Sequence, residues 1–373
     1  GVAATFVEHA SLRGEARGEI AVIEADEAAL PEILRMVRPR LVVLTNLFRD
    51  QLDRYGEMNT ISDRWRATFA GLPITTRLIV DVDDPTLATI TDGIEAPRTT
   101  FGLRAPDYAL DELPHAADAA ICRKCGADLT YRALYLGHLG DWVCATCGYQ
   151  RPALDVVGTD VRLDGTISLT MSVEGAQRAV RDVTVQTPGI YNAYNITAAV
   201  AAGFELGIDP AVISRALEQF RAPFGRAERI TWQGRELAIS LVKNPVGFNE
   251  VLRTITDGGN QLTAPALIVI NDEIADGRDI SWLWDVDFEQ LAGIDAPFAT
   301  GGIRGADMAV RLKYAGIPAS RIRPLGDVRA AFDAFVASVP AGSTAYILPT
   351  YTAMLELRAL LAERGVVPAF WQQ

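Results

Sequence analysis

Cys122, Cys125, Cys144 and Cys147 are the chain's four cysteines, and they form a C-x2-C-x18-C-x2-C pattern. Two such knuckles supply the four soft thiolates that a tetrahedral Zn2+ takes. Gly126 and Gly148 close the knuckles, letting each turn bring amide N–H groups towards sulfur. Disulfides or unrelated core thiols fit a cytoplasmic chain and this regular spacing poorly. Four thiolates leave no open coordination position, so the expected metal is structural rather than catalytic. The nearby cations Arg123, Lys124, Arg132 and Arg151 form no dense patch, so the stretch reads as a structural insertion rather than a nucleic-acid grip.

A second set of polar residues recurs where apolar runs end. Glu24 follows 21–23, and Asn46, with Asp50 and Asp53 beyond it, follows 41–45. Asp81, Asp83, Asp84 and Pro85 close the run 78–82, and Thr100-Phe101-Gly102 ends a fourth. Further along come Thr187-Pro188-Gly189-Ile190-Tyr191-Asn192-Ala193-Tyr194-Asn195 and Gly225-Arg226-Ala227-Glu228. Carboxyl ends of strands are where open α/β sheets bind ligands. Each segment alone is weak, because a strand-end acid is usually an N-cap and Asp-Pro usually a turn. Asn192 reads equally well as a helix N-cap and as a ligand contact.

The elements that must position these residues alternate in type. Short β-rich runs at 21–23, 41–45 and 78–82 are separated by amphipathic stretches at 30–37 and 61–69, the signature of βαβ units and a largely parallel sheet. The texture changes over 118–152, where the cysteines lie, and antiparallel strands are expected at 156–173 and 179–186. A helix at 192–206 follows, and a second α/β block begins after 222, with strands near 237–242, 266–270, 298–300 and 345–348. The expected organisation is a first domain over 1–222 with the cysteine module inserted, and a Rossmann-like α/β domain over 223–373.

Composition narrows the function further. The chain has 373 residues, 49% apolar and 22% charged, so it is globular rather than disordered. Its net charge of −12 argues against a protein whose main task is gripping nucleic acid. No apolar run approaches the ~20 residues of a membrane span, so a cytoplasmic protein is expected. Three histidines and four committed cysteines leave little from which to build a Ser-His-Asp or Cys-His machine.

Taken in order, the strand-end segments resemble the Mur ligase family of ATP-dependent amide-bond-forming enzymes. The likeness rests on that family's strand-end Glu for Mg2+, its N-x-x-x-D-H-L-D segment, its D-D-P, its P-G-x-H-N-x-x-N and its G-R-x-E. It extends over almost the entire chain. Gln51 stands where most members carry a Mg2+-associated His, Tyr191 replaces the His before Asn192, and the metal-site Lys expected near Arg66 is missing. No G-x-x-x-x-G-K-[ST] phosphate loop occurs; since residues 1–8 read as mid-helix, that loop is expected upstream of Gly1.

Those departures, the four-cysteine insertion, Lys243-Asn244-Pro245-Val246-Gly247-Phe248-Asn249 and the segment 271–285 resemble the family's lipid II-amidating branch. The resemblance implies ATP-dependent activation of the α-carboxylate of D-isoglutamate in the lipid II stem peptide, then attack by ammonia. Glu24 would hold Mg2+, with Asn46, Asp50 and Asp53 beside it; Asn192, Asn195 and Arg226 would hold the nucleotide. It also implies a GatD-like glutaminase subunit as partner, and the cysteine count agrees, since no thiol is left to release ammonia from glutamine. Two tryptophans bracketed by acids, Trp282 and Trp284, suit an interface anchor. Asp285 is the first candidate, and Asp279 the second, for completing the partner's Cys-His pair. The rivals are an amino-acid ligase of the same superfamily, a zinc-ribbon binding protein and an inactive scaffold.

Overall fold

Runs that are apolar on both faces make interior strands, and two six-stranded sheets are built on such runs. The protein is described by a computed structural model that covers all residues except 1, 12, 16, 49–57, 116, 165–166, 222–227, 257–263 and 368–373. After helices α1 (Val2–Glu8) and α2 (Leu30–Val37) comes strand β1 (Leu41–Leu44). Helix α3 (Met58–Phe69), β2 (Arg77–Asp81), α4 (Pro85–Ile90) and β3 (Arg98–Leu103) follow. β4 (Thr130–Leu136) and β5 (Leu139–Val143) form a separate hairpin, and β6 (Val156–Asp164), β7 (Ser168–Gly175) and β8 (Ala179–Val185) complete the first sheet.

Its order is β1-β2-β3-β6-β7-β8, parallel from β1 to β6 and antiparallel from β6 to β8. Helix α5 (Ile190–Glu205), buried along most of its length, packs Ile190, Ala193 and Tyr194 against Phe101, Leu103, Met171 and Val173. Helix α6 (Pro210–Gln219), capped by Asp209, closes this part of the fold.

One expected strand is not there. Residues 21–23 are irregular and Val22 is 96% exposed. A three-residue apolar run makes a strand only when a ladder partner and a buried face are supplied, and among the described residues this run has neither.

The second sheet has the order β13-β12-β11-β14-β10-β9. Its strands are β9 (Glu228–Trp232), β10 (Arg235–Ile239), β11 (Ala266–Val269), β12 (Phe298–Gly301), β13 (Ile322–Pro324) and β14 (Thr344–Pro349). All pairs are parallel except the edge hairpin β9–β10. Helices α7 (Pro245–Thr256), α8 (Gly305–Tyr314), α9 (Val328–Ser338) and α10 (Tyr351–Glu363) cover it. The strand order reverses between β11 and β14, which places a crevice at their carboxyl ends.

The two halves touch through named bonds. Arg253 of α7 donates to the carbonyls of Tyr108 and Tyr135 at 2.6 and 2.9 Å. His115 meets Asp287 at 2.6 Å, and Asn249 donates to the other oxygen of Asp287 at 2.7 Å. No helix among the described residues is long and apolar enough to cross a membrane.

Candidate functional site

The four thiols converge as the spacing predicts. Their sulfur atoms all lie within 4.8 Å of one another, with Cys122–Cys147 at 3.7 Å and Cys125–Cys144 at 3.4 Å. A tetrahedral ion with Zn–S bonds near 2.3 Å needs sulfur–sulfur edges of about 3.8 Å, so this donor set fits zinc. The two knuckles are built alike. Gly126 N–H donates to the Cys122 carbonyl and Gly148 N–H to the Cys144 carbonyl, at 2.8 and 2.9 Å, with both glycines in the left-handed region. Cys122 and Cys144 are buried while Cys125 and Cys147 face outwards.

The module sits on the carboxyl ends of β1 and β2 and shares their core. Cys122, Leu129, Trp142 and Cys144 pack in one cluster with Leu44, Leu47, Val80 and Val82. Trp142 Nε1 donates to the Val82 carbonyl at 3.0 Å, and Gly140 N–H to the Asp83 carbonyl at 3.0 Å. It is therefore part of the first domain's interior at the end where ligands are expected.

At that end three buried acids have different tasks. Asp84 caps α4, its Oδ1 accepting from Thr86 and Leu87 N–H, and its Oδ2 accepts from Leu47 N–H at 2.9 Å. Asp83 accepts from Arg151 at 2.7 Å, from Tyr194 Oη at 2.8 Å and from Leu103 N–H at 3.0 Å. Burial pushes its pKa up to about 6, with the Arg151 guanidinium opposing. Its carboxylate lies where a Cβ on Gly102 would stand, 2.2 Å from Oδ1, so glycine there is a matter of space. Asp81 accepts from Asp83 N–H through Oδ1, while its buried Oδ2 has no partner among the described residues. Burial, then the charges of Asp83 and Asp84, raise its pKa well above the usual carboxylate range.

The residues expected to hold nucleotide and Mg2+ lie partly in view. Glu24 is exposed and has no hydrogen-bond partner among the described residues; Asn46 is half-buried directly after β1. These are hard oxygen donors of the kind Mg2+ takes. Asp50, Asp53 and Arg226 lie outside the described residues, as does Gln51. Asn192 is not the cap of α5: Gly189 takes the cap position at φ +89°, and the Asn192 carboxamide donates to the Pro188 carbonyl at 2.6 Å. Asn195, one turn on and exposed, donates to Asn192 Oδ1 at 3.3 Å. Close to Asn192, a small open pocket of about 20 Å³ lies between the halves, lined by Pro188, Tyr191, Ser240, Thr254, Ile255 and Tyr346.

The tryptophan segment divides in two. Trp282 packs towards Phe248, ring centres 6.3 Å apart, whereas Trp284 is 54% exposed and leans on Tyr314. The buried Arg311 guanidinium fixes the segment by donating to the carbonyls of Leu283 and Val286 at 3.1 and 2.7 Å. Asp279 is exposed, and the Ser281 N–H at 2.8 Å holds its carboxylate below the usual range. Asp285 is half-buried.

Sequence reasoning did not single out His138, Arg151 or Arg253. The rarity of histidine was the available signal for the first. Little in the sequence marks the two arginines, because the contacts that define them, Arg151 with Asp83 and Arg253 with Tyr108 and Tyr135, span 68, 145 and 118 positions.

Residues 5–121 match the Mur ligase middle domain family, and residues 241–354 the MurT ligase C-terminal family. The chain is 34% identical over 368 residues to the lipid II isoglutaminyl synthase (glutamine-hydrolyzing) subunit MurT of Streptococcus pneumoniae, covering 98% of this chain and 79% of that protein. The Staphylococcus aureus subunit of the same name is 30% identical over 321 residues, covering 85% of this chain and 69% of its own. Among solved structures, a pseudomurein peptide ligase type C from Methanothermus fervidus shares the fold with a TM-score of 0.67 at 19% identity. A MurF from Acinetobacter baumannii has a TM-score of 0.60 at 16% identity. This chain covers 65% and 62% of those two structures, and 90% of it is matched by each.

Proposed function

Because the chain belongs to the MurT family of Mur ligases, we propose that it is the synthase subunit that amidates the lipid II stem peptide. The carrying observation is the 34% identity across 98% of the chain, with four converging thiols and a strand-end crevice behind it. In this reading the α-carboxylate of D-isoglutamate attacks the γ-phosphorus of ATP, giving an acyl phosphate and ADP. Ammonia then displaces phosphate from the acyl carbon, leaving D-isoglutamine after a proton is lost.

Mg2+ supplies charge neutralisation on the phosphates when it is bound. Glu24 and Asn46 are the described residues that would hold it, with Asp50 and Asp53 assigned the same task from the sequence. Asn192 and Asn195, in the first two turns of α5, would face the nucleotide. Arg226 is assigned to phosphate. Cys122, Cys125, Cys144 and Cys147 would hold a structural Zn2+, and with all four so used no thiol of this chain serves as a glutaminase nucleophile.

Ammonia therefore comes from a second, GatD-like subunit, and the reaction runs at the cytoplasmic membrane surface where the lipid-linked substrate lies. Trp284 with Tyr314 offers an exposed aromatic pair beside Asp279 and Asp285 for that subunit to cover. Exposure favours Asp279 over Asp285 for reaching a partner's Cys-His pair.

Co-expressing the full-length protein with its glutaminase subunit and measuring ATP-dependent amidation of lipid II tests the reading. Product is expected with glutamine and with free ammonium. Turnover that requires an amino acid in place of ammonia would overturn it.

A further inference from the structure

Strand β1 ends at Leu44, and the chain from 45 to 48 then carries Asn46 across the sheet end. Three contacts hold this short stretch. Leu47 is buried in the core it shares with Trp142, its N–H donates to Asp84 Oδ2, and the Phe48 ring lies 4.6 Å from the His138 ring. Two of the three lead to one place, the tight turn Gly137–His138 between β4 and β5. Gly137 has φ +55°, and a Cβ there would stand 2.8 Å from Phe48 Cε1, so the turn closes against the loop with no spare room.

His138 is completely buried. Its Nδ1 faces the Asp118 N–H at 3.3 Å and so acts as acceptor, which puts the proton of the neutral ring on Nε2. That Nε2–H has no hydrogen-bond partner among the described residues and stands 3.5 Å from Asp84 Oδ2. The distance is long for a hydrogen bond, yet in a dry site the N–H dipole still orients a carboxylate. Asp84 Oδ1 takes the helix cap while Oδ2 accepts from Leu47 N–H with His138 Nε2 3.5 Å from the same oxygen, so the carboxylate joins α4, the loop and the turn.

We propose that His138 is a positioning residue for the loop 45–48, acting through Asp84 and Phe48 to hold Asn46 where the nucleotide site needs it. This rests on the function proposed above for the ATP step, while the positioning itself is a property of the loop. A group that orients a site from behind is commonly worth about 10–100-fold when removed.

The test uses the full-length protein with its glutaminase subunit and three variants. His138→Leu and His138→Met fill the space without an N–H, and His138→Gln restores a donor. In the donor-less variants the KM for ATP should rise roughly tenfold with a smaller change in kcat. Amide exchange over residues 44–48 should quicken by about the same factor. The Gln variant should return both towards wild type. Wild-type KM and exchange in the donor-less variants, or equal impairment of Gln and donor-less variants, would overturn the proposal. If neither donor-less variant folds, His138→Gln decides alone: near-wild-type KM and exchange support the proposal, and a raised KM with quickened exchange overturns it. If wild-type protein does not amidate lipid II, the function fails, and the exchange data still decide the role of His138.

Discussion

Asp81, Asp83 and Asp84 occupy four positions of chain, and their contacts give each a distinct state. Asp84 accepts from three backbone N–H groups, Asp83 has an arginine and a tyrosine, and Asp81 keeps a buried oxygen with no partner among the described residues. A carboxyl whose pKa is higher folded than unfolded binds more protons when folded, so its contribution to stability falls as pH rises through that window. For Asp83 the window runs up to about 6, and Asp81 is displaced in the same direction. Asp81→Asn should therefore match or exceed wild type in Tm near pH 8, and the difference should shrink on acidification to about pH 5. A variant that is markedly less stable at pH 8 would show that ionised Asp81 is needed. Also at this scale, Asp279→Asn is expected to lower glutaminase activity of the two-subunit complex at least about tenfold, and Asp285→Asn much less. Unchanged activity in both variants would remove this segment from the partner's chemistry.

Among the elements, the β4–β5 hairpin and its two knuckles bring the most consequence for their size. Trp142 is 0% exposed between the cysteines and the end of β2. Without a bound ion, four crowded thiols are a poor foundation for that packing, and metal binding energy is folding energy. Treating the protein with a strong chelator, or replacing Cys144 by Ser, should lower Tm and shift tryptophan emission to the red. Readdition of Zn2+ should reverse the first treatment but not the second. An unaltered Tm after verified metal removal would mean that the apolar contacts alone seat the hairpin. The spacing of the cysteines made this element legible. Its docking on the loop 45–48 was not, because His138, Asp84 and Leu47 are brought together from three separate segments.

At the scale of the molecule, Arg253 is central among the polar contacts that join the two α/β halves in the described residues. Its two bonds to the carbonyls of Tyr108 and Tyr135 are charge-assisted and largely shielded, so Arg253→Ala should weaken the contact by about 2–4 kcal/mol. Interdomain distances from paired spectroscopic labels would broaden if so, and an unaltered distribution would place the restraint elsewhere. His115 adds a pH-dependent part. The hydrogen bond that His115 donates to the Asp287 carboxylate raises the histidine pKa, so this contact is strongest on the acid side and is lost as pH rises through the folded value. Because His115 is mostly exposed, the effect is modest, and His115→Gln should remove the pH dependence without separating the halves.

The sequence by itself determined the α/β class, the cysteine centre and the order of strand-end segments, because apolar periodicity and ligand spacing are local properties of the chain. It also marked Glu24, Asn46, Asn192 and Asn195 as polar residues at element ends. It erred at 21–23, where the apolar run finds no ladder partner among the described residues; at Asn192 the structure removes the N-cap alternative, since Gly189 is the cap. Only the tertiary structure decided which acid is paired, which oxygen is left bare, and which tryptophan is exposed. Those are outcomes of burial and of contacts between residues far apart in sequence. Asp83 and Arg151 are 68 positions apart, yet it is their approach that gives each its charge environment.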